Sequence, residues 1–394
     1  MVKPLDGIRV VDLSRILAGP YCSMILVDLG AEVIKVEELL NGDEARQVGP
    51  FVNGVSAYFM SLNRGKKSVS LNLKDPRGNA LLNELVKRSD ILLENFRPGT
   101  MRQLGLAYDT LRQINPRLIY ASLSGFGQTG PYASRRAFDI VVQGMGGIMS
   151  ITGEPGGPPV RVGAAIGDMG AGLFTAIGIL AALQARERTG KGQQVDVGML
   201  DCQVALLEYA VIRYTTTGEV PGALGTRHPW IAPFEAFEAK DGPIVIGVGT
   251  RHWTRFCDSV GLPDLAGDPR FATNAVRTQH YEVLRPILAE VIKTKRVGEW
   301  IRKMEEIGIP CGPINTMDRV VADPQVQARE MIVEVEHAGV GKVKMVGCPV
   351  KLSETPSGIQ GPAPTLGQHT EEILTSLLGH SREELARLRK AGVV

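Results

Sequence analysis

Residues 8–13 read IRVVDL, residues 20–29 PYCSMILVDL and residues 31–36 AEVIKV. The first is a short apolar run bounded by Gly7 and Ser14, the pattern of a buried strand. The second has apolar residues at helical spacing and stops at Gly30, a residue suited to a helix C-terminus. The third is strand-like again. Strand, helix and strand within about thirty residues make a β-α-β unit, with parallel strands and a right-handed crossover.

Outward from this unit the alternation continues. Residues 68–73, 91–94 and 118–122 read as strands, and 78–88 and 108–114 as helices. This predicts an α/β fold with an open parallel sheet. From Asp168 an almost uniformly apolar helix runs to Gly190, and a helix apolar on every side is expected to be buried. Residues 194–199 read as a strand and 200–216 as one long helix. Glycine and proline gather over 220–233. Beyond them stand a hairpin (234–239 and 244–248 about the turn 240–243) and helical stretches at 251–260, 277–294 and 297–307. The expected division is therefore a large domain over 1–224, a smaller α+β domain over 225–325, and a C-terminal segment over 326–394. That segment ends in a helix over 381–390 capped by Ser381, with Glu384 at the third position.

The 394 residues carry 44 basic and 42 acidic side chains, a formal charge of +2. Such a chain has no charge excess to drive counterion release, so neither nucleic acid nor a membrane surface is expected as a partner. Five cysteines (Cys22, Cys202, Cys257, Cys311, Cys348) stand far apart and read as reduced thiols. The six histidines are dispersed and include no HExxH pair, so no metal site is expected. No signal-like segment or run of 18 apolar residues is present, and a soluble, cytoplasmic enzyme is expected.

The first β-α-β unit invites a dinucleotide reading, with Glu37 placed where a ribose-binding acid sits. The glycine fingerprint is missing, because residues 14–20 read SRILAGP, with one glycine instead of three. Asp168 is the most suggestive single residue. It stands at the start of an apolar helix, where it reads either as an N-cap or as a carboxylate kept ionised by the helix terminus. In the second case it is a nucleophile, reached by a bulky acyl group past the surrounding glycines and alanines. Residues 94–99 (ENFRPG) and 125–131 (GFGQTGP) each follow a strand, at the edge where α/β folds place ligands.

The segments KPLDGIRVVDL (3–13), LAGP (17–20), LGAEVIKVE (29–37), NRGKKS (63–68), ENFRPG (94–99) and GFGQTGP (125–131) occur in this order. GDMG (167–170), TGKGQ (189–193), GIPCGP (308–313) and LGQHT (366–370) continue the series. Together they resemble the family III CoA-transferases, also called the CaiB/BaiF or formyl-CoA transferase family. The resemblance runs nearly end to end. It implies a Rossmann-like large domain built from both chain ends, a smaller inserted domain, and an interlocked homodimer. It also implies transfer of CoA from a thioester to a carboxylate with no metal, no ATP and no permanently bound cofactor, coenzyme A thioesters being substrates.

On this resemblance the nucleophile maps to Asp168. CoA contacts map to Leu17 and Ala18, to Leu71, Asn72, Leu73 and Lys74, and to Asn95, Phe96 and Arg97. Further contacts map to Gln103 with Arg102 as a substitute, to Ser124, Gly125, Phe126 and Gly127, and to Arg136, Ala137, Phe138 and Asp139. The formyl-CoA branch has glutamine at position 17, arginine at 38 and lysine at 136, where this chain has Leu17, Glu38 and Arg136. Residues 222–230 (GALGTRHPW) interrupt that branch's glycine run and look more like enzymes joining succinyl-CoA to glutarate or similar dicarboxylates. Arg46, Arg227 and His228 are the candidates for a distal carboxylate. A 2-methylacyl-CoA racemase is the alternative within the superfamily. It needs a histidine after the 118–122 strand, and no histidine precedes His228. A non-catalytic acyl-CoA-binding protein is the alternative outside it.

Overall fold

A computed structural model describes residues 2–394. Six strands form one sheet: β1 (Arg9–Asp12), β2 (Glu32–Glu37), β3 (Lys67–Ser70), β4 (Ile91–Glu94), β5 (Ile119–Ser124) and β6 (Gln194–Gly198). Their order is β3-β2-β1-β4-β5-β6, and every neighbouring pair is parallel. β1 is therefore central, with Val10 opposite both Val33 and Ile91. The chain reverses direction across the sheet between β1 and β4, which opens a crevice at the carboxyl ends of these strands.

Side-chain alternation along the strands explains the layers on both faces. Val11, Ile34, Val69 and Leu92 face one layer, made of α2 (Pro76–Lys87) and the C-terminal residues Ile373, Leu374, Leu385 and Val393. Val10, Val33, Ile91 and Ile119 face the other, built from α1 (Ala18–Asp28) and the long helix α4 (Ile166–Thr189). α3 (Asp139–Met145), α5 (Met199–Leu206) and α6 (Glu208–Thr217) complete the layer on α4's side. The C-terminal segment is stitched to the sheet edge, Ser68 accepting from the His369 N–H and Val393 from the Asn72 N–H. The large fold is thus made from both ends of the chain.

The chain divides into two compact units. The sheet unit comprises the chain up to Ile148, Arg161–Gly218 and Pro324–Val394. The second comprises Met149–Val160 and Glu219–Asp323. Residues 149–160 group with the second unit, where the Gly225 N–H donates to Gly153 O. This unit holds an antiparallel sheet of β7 (Phe234–Ala239), β8 (Gly242–Gly247) and β9 (Cys311–Pro313). It is packed by Trp253, Phe256, Leu284, Leu288 and Trp300.

Several elements differ from the sequence expectation. The helix read over 200–216 breaks at Leu207 into α5 and α6, with no glycine or proline to announce it. The stretch 277–294 breaks at His280, whose backbone N–H and Nδ1 both lie 2.9 Å from Val276 O. Ile332–His337 and Gly341–Val346 form a hairpin not foreseen at all. Helix α4 is long and apolar enough to cross a membrane by length and composition, and it packs one face into the core through Ala176, Ile179, Ala182 and Leu183. It is not buried on every side, because Leu173, Phe174 and Ile177 are exposed, Ile177 at 59%.

α4 reaches α1 because Gly172 has no side chain. A Cβ there would lie 2.7 Å from Ala18 O and 3.0 Å from Tyr21 Cδ1. Alanine is worth about 1 kcal/mol over glycine within a helix, but a clash with backbone oxygen cannot relax by rotamer change. Gly172→Ala is therefore expected to destabilise the chain by about 1–3 kcal/mol. The denaturation midpoint checks this, and a gain in stability would contradict the packing described.

Candidate active site

At the carboxyl end of β1, the loop 13–17 is fixed by buried charge. Asp12 accepts from the Ser14 N–H at 2.9 Å, from the Ser14 hydroxyl and from the Ser23 hydroxyl at 2.6 Å. Lys66 Nζ lies 3.2 Å from its second oxygen. Lys35 and Asp43, both with fully buried side chains, pair at 2.8 Å. Lys35 also donates to Ser14 O at 2.7 Å, and Asp43 accepts from the Ile16 N–H at 3.0 Å. Asn95 closes the clamp, accepting from the Arg15 N–H and donating to Arg15 O, each at 2.8 Å. These bonds hold Ile16 at φ +67°, a left-handed conformation that costs a β-branched residue about 1–3 kcal/mol. Burial opposes the charge on each member. Lys66 and Lys35 outweigh it at Asp12, holding that carboxyl below its usual range, while at Lys66 burial wins and lowers the ammonium to about 8. The loop leads directly into α1 and forms one wall of a cavity.

That cavity has a volume of about 600 Å³ and holds Asp168. Asp168 lies in the first turn of α4 and is not its N-cap, which corrects the capping alternative. The helix begins earlier than the sequence suggested, with Ala165 at the N-cap and no side-chain cap of its own. The cap comes from α3 instead, where Asp139 accepts from the Gly167 N–H at 2.8 Å and from Gln143 Nε2 at 2.7 Å. Gly167 also has a packing role. A Cβ there would lie 2.6 Å from Val142 and 3.0 Å from Asp139, so this glycine lets α3 close on α4. Burial, followed by the negative charge of Asp139, pushes the Asp168 carboxyl up to about 7. Tyr58, not singled out from the sequence, feels the same site. Burial and then the charge of Asp168 push its phenol up to about 12, so it stays a neutral donor.

Of the residues singled out from the sequence, Leu17, Ala18, Asn95, Phe96, Arg97, Ser124, Gly125, Arg136, Ala137 and Phe138 line the cavity with Asp168. A second cavity of about 560 Å³ is lined by Leu71, Asn72, Leu73 and Lys74. The two share Arg15, Phe96 and Thr100, so they adjoin along one side of the crevice. Arg15 is the residue the sequence reading missed here. Its guanidinium stacks 4.7 Å from the Phe96 ring centroid and pairs with Glu44 at 2.8 Å. Gln103 shares a third hollow with Lys74, whereas Arg102 lines a separate small polar cavity with Arg97. Phe126 packs edge-on against Tyr132 at 5.7 Å, and Gly127 sits at φ +80° beside the Asp196 carboxylate that accepts from the Gln128 N–H.

Three expected carboxylate binders already have partners. Arg46 makes a two-point pair with Glu37, donates to Pro364 O and stacks 3.7 Å over Phe59. These bonds engage most of its fork and occupy Glu37, and Arg46 lines neither of the two cavities. Arg227 and His228 belong to the second unit. Arg227 stacks 3.5 Å over Tyr281, and His228 accepts from the Trp230 N–H at 3.1 Å. No cluster of three metal-ligating side chains occurs among the described residues.

A doubly wound sheet whose carboxyl edge opens into two adjoining cavities, one reaching a buried acid, has the architecture of an α/β protein with a ligand crevice. The chain matches the model of CoA-transferase family III over residues 5–370, and it belongs to that family and is a CoA-transferase. It is 46% identical over 352 residues to an acetyl-CoA:oxalate CoA-transferase of Acetobacter aceti, covering 89% of each chain. It is 40% identical over 395 residues to a succinyl-CoA:glutarate CoA-transferase of Homo sapiens, covering 100% of this chain and 90% of the other. A crystal structure of a CaiB/BaiF family protein from Brucella suis superposes with a TM-score of 0.85 at 39% identity, covering 96% of this chain and all of that one.

The raised pKa of Asp168 has a consequence for stability. A carboxyl that holds its proton more tightly in the folded chain destabilises that chain as pH rises from its ordinary value of 3.8 to about 7. Asp168→Asn is therefore expected to melt higher than wild type, by a margin that grows from about pH 5 to pH 7 and levels off above. Thermal scans across this range check it, and a margin independent of pH would contradict the reading.

Proposed function

We propose that the chain transfers CoA from succinyl-CoA to a dicarboxylic acid, glutarate foremost, with Asp168 as the nucleophile. The observation that carries this reading is an acid at a helix start whose capping duty is taken by Asp139, leaving its own carboxyl to the cavity. The nucleotide of CoA would occupy the hollow lined by Leu71–Lys74, and the pantetheine arm would pass Arg15 and Phe96 toward Asp168. Arg15, Arg97 and Arg136 supply cationic groups suited to phosphates along that route.

The reaction follows from the chemistry of the groups. A carboxylate oxygen of Asp168 adds to the thioester carbonyl carbon, and the C–S bond breaks to give a mixed anhydride and CoA thiolate. The thiolate adds to the aspartyl carbonyl, the donor acid leaves, and an aspartyl-CoA thioester remains. The acceptor carboxylate reverses both steps, forming the new thioester and freeing Asp168. Overall one thioester and one carboxylate are exchanged for another thioester and another carboxylate, so the balance needs no ATP. The low-dielectric surroundings that raise the pKa of Asp168 also make its anion a better nucleophile and keep water from the anhydride.

Oxalate is the second acceptor reading, favoured by the 46% identity to the Acetobacter aceti enzyme. A racemase is disfavoured, since Ser124 and Phe126 stand where its histidine is needed. We further infer a cytoplasmic homodimer. The exposed Leu173, Phe174 and Ile177 of α4 and Val211, Ile212 and Tyr214 of α6 form apolar faces that a second copy would cover.

The test is succinyl-CoA offered with glutarate, oxalate, itaconate, malate and carnitine, with products read by mass spectrometry. Glutaryl-CoA is expected as the main product, and Asp168→Asn is expected to abolish turnover while binding CoA within about twofold of wild type. The kcat/KM of wild type is expected to fall about tenfold per unit below pH 7, as the nucleophile takes up its proton. Turnover retained by Asp168→Asn would end the assignment.

A further inference from the structure

Ser124 ends β5 and lines the Asp168 cavity. It is only 7% exposed, and its Oγ has no protein hydrogen-bond partner among the described residues. Its surroundings explain why. Ala18, Leu123, Ala137 and Met199 are apolar members of the same cavity lining, and none of its polar side chains bonds the Ser124 hydroxyl. Two residues earlier on the same strand, the Ser122 hydroxyl meets the Glu94 carboxyl. A buried hydroxyl without a partner costs about 1–3 kcal/mol, and it faces the one place where a ligand atom can satisfy it.

We propose that Ser124 is a catalytic residue whose hydroxyl donates to the thioester carbonyl oxygen as Asp168 attacks; this rests on the nucleophile reading above. When the Asp168 oxygen bonds to the carbonyl carbon, the carbonyl π pair moves onto its oxygen, which becomes an oxyanion. The pair returns when the C–S bond breaks and CoA thiolate departs. A donor already held in the cavity wall stabilises this charge without reorganising, and it gains most when the charge is largest. The free chain keeps Ser124 unpaired, and the transition state supplies its acceptor. The bond to the ground-state carbonyl is weaker, so the hydroxyl acts on rate more than on binding.

The experiment mixes succinyl-CoA with wild type, Ser124→Ala and Ser124→Thr. It follows the hydroxylamine-sensitive adduct on Asp168 by peptide mass mapping, with the affinity for free CoA measured in parallel. Ser124→Ala is expected to form the adduct about 100-fold more slowly, to bind CoA within about twofold of wild type, and to melt no lower than wild type. Ser124→Thr, which keeps the hydroxyl, is expected to recover most of the rate. A wild-type rate in Ser124→Ala overturns the proposal while leaving Asp168 in place. So does a loss of rate matched by an equal loss of CoA affinity, or a lowered melting temperature without recovery in Ser124→Thr. Absence of any adduct on wild-type Asp168 overturns instead the reading on which the proposal stands, and the proposal falls with it.

Discussion

The site depends on a division of labour between two carboxylates. Asp139 accepts the Gly167 N–H at the start of α4, and this single bond settles which acid caps the helix and which one faces the cavity. Were Asp168 itself the cap, its oxygens would be bound to backbone N–H groups, its pKa would drop, and its nucleophilicity with it. Because the cap comes from α3, that lowering is absent; burial pushes the Asp168 pKa up, and the negative charge of Asp139 raises it further. Gly167 makes the arrangement possible, since a side chain there would collide with Asp139 and Val142.

The opposite wall rests on a second use of buried charge. Lys35 and Asp43 are too deep to serve as surface ornaments, and an unpaired member would be costly. Their bonds to Ser14 O and the Ile16 N–H convert the electrostatic requirement into a fixed backbone path. That path places Ile16, Leu17 and Ala18 in the cavity wall without the glycine-rich turn of a dinucleotide-binding fold. The same sheet order therefore hosts different ligand chemistry, because the loop after β1 is shaped by an ion pair instead of by small residues.

Much of the sheet unit was legible in the sequence. The 91–94 strand and the 108–114 helix were read with the bounds they have, since apolar period and turn residues agree there. The break at Leu207 was not legible, because no local residue marks it and packing decides it. The hairpin was overlooked although its signal is strong: apolar and charged residues alternate over 333–336 (VEVE) and 342–345 (KVKM), and Glu334 stands opposite Lys344. Among candidate site residues, those adjacent in sequence to a strand end, such as Asn95 and Ser124, come together in the cavity. Arg46 failed because its partner Glu37 lies on another element, and a pairing of that kind leaves no local pattern. Arg15 and Tyr58 were missed for the converse reason, as their proximity to the cavity or to Asp168 arises only on folding.

The most direct test is to titrate the Asp168 carboxyl by carbon NMR in wild type and in Asp139→Asn, which keeps an acceptor for Gly167 but removes the charge. The account predicts a midpoint near pH 7 in wild type, and a lower one in the variant. A wild-type midpoint in the ordinary carboxylate range, unmoved by the substitution, would contradict it.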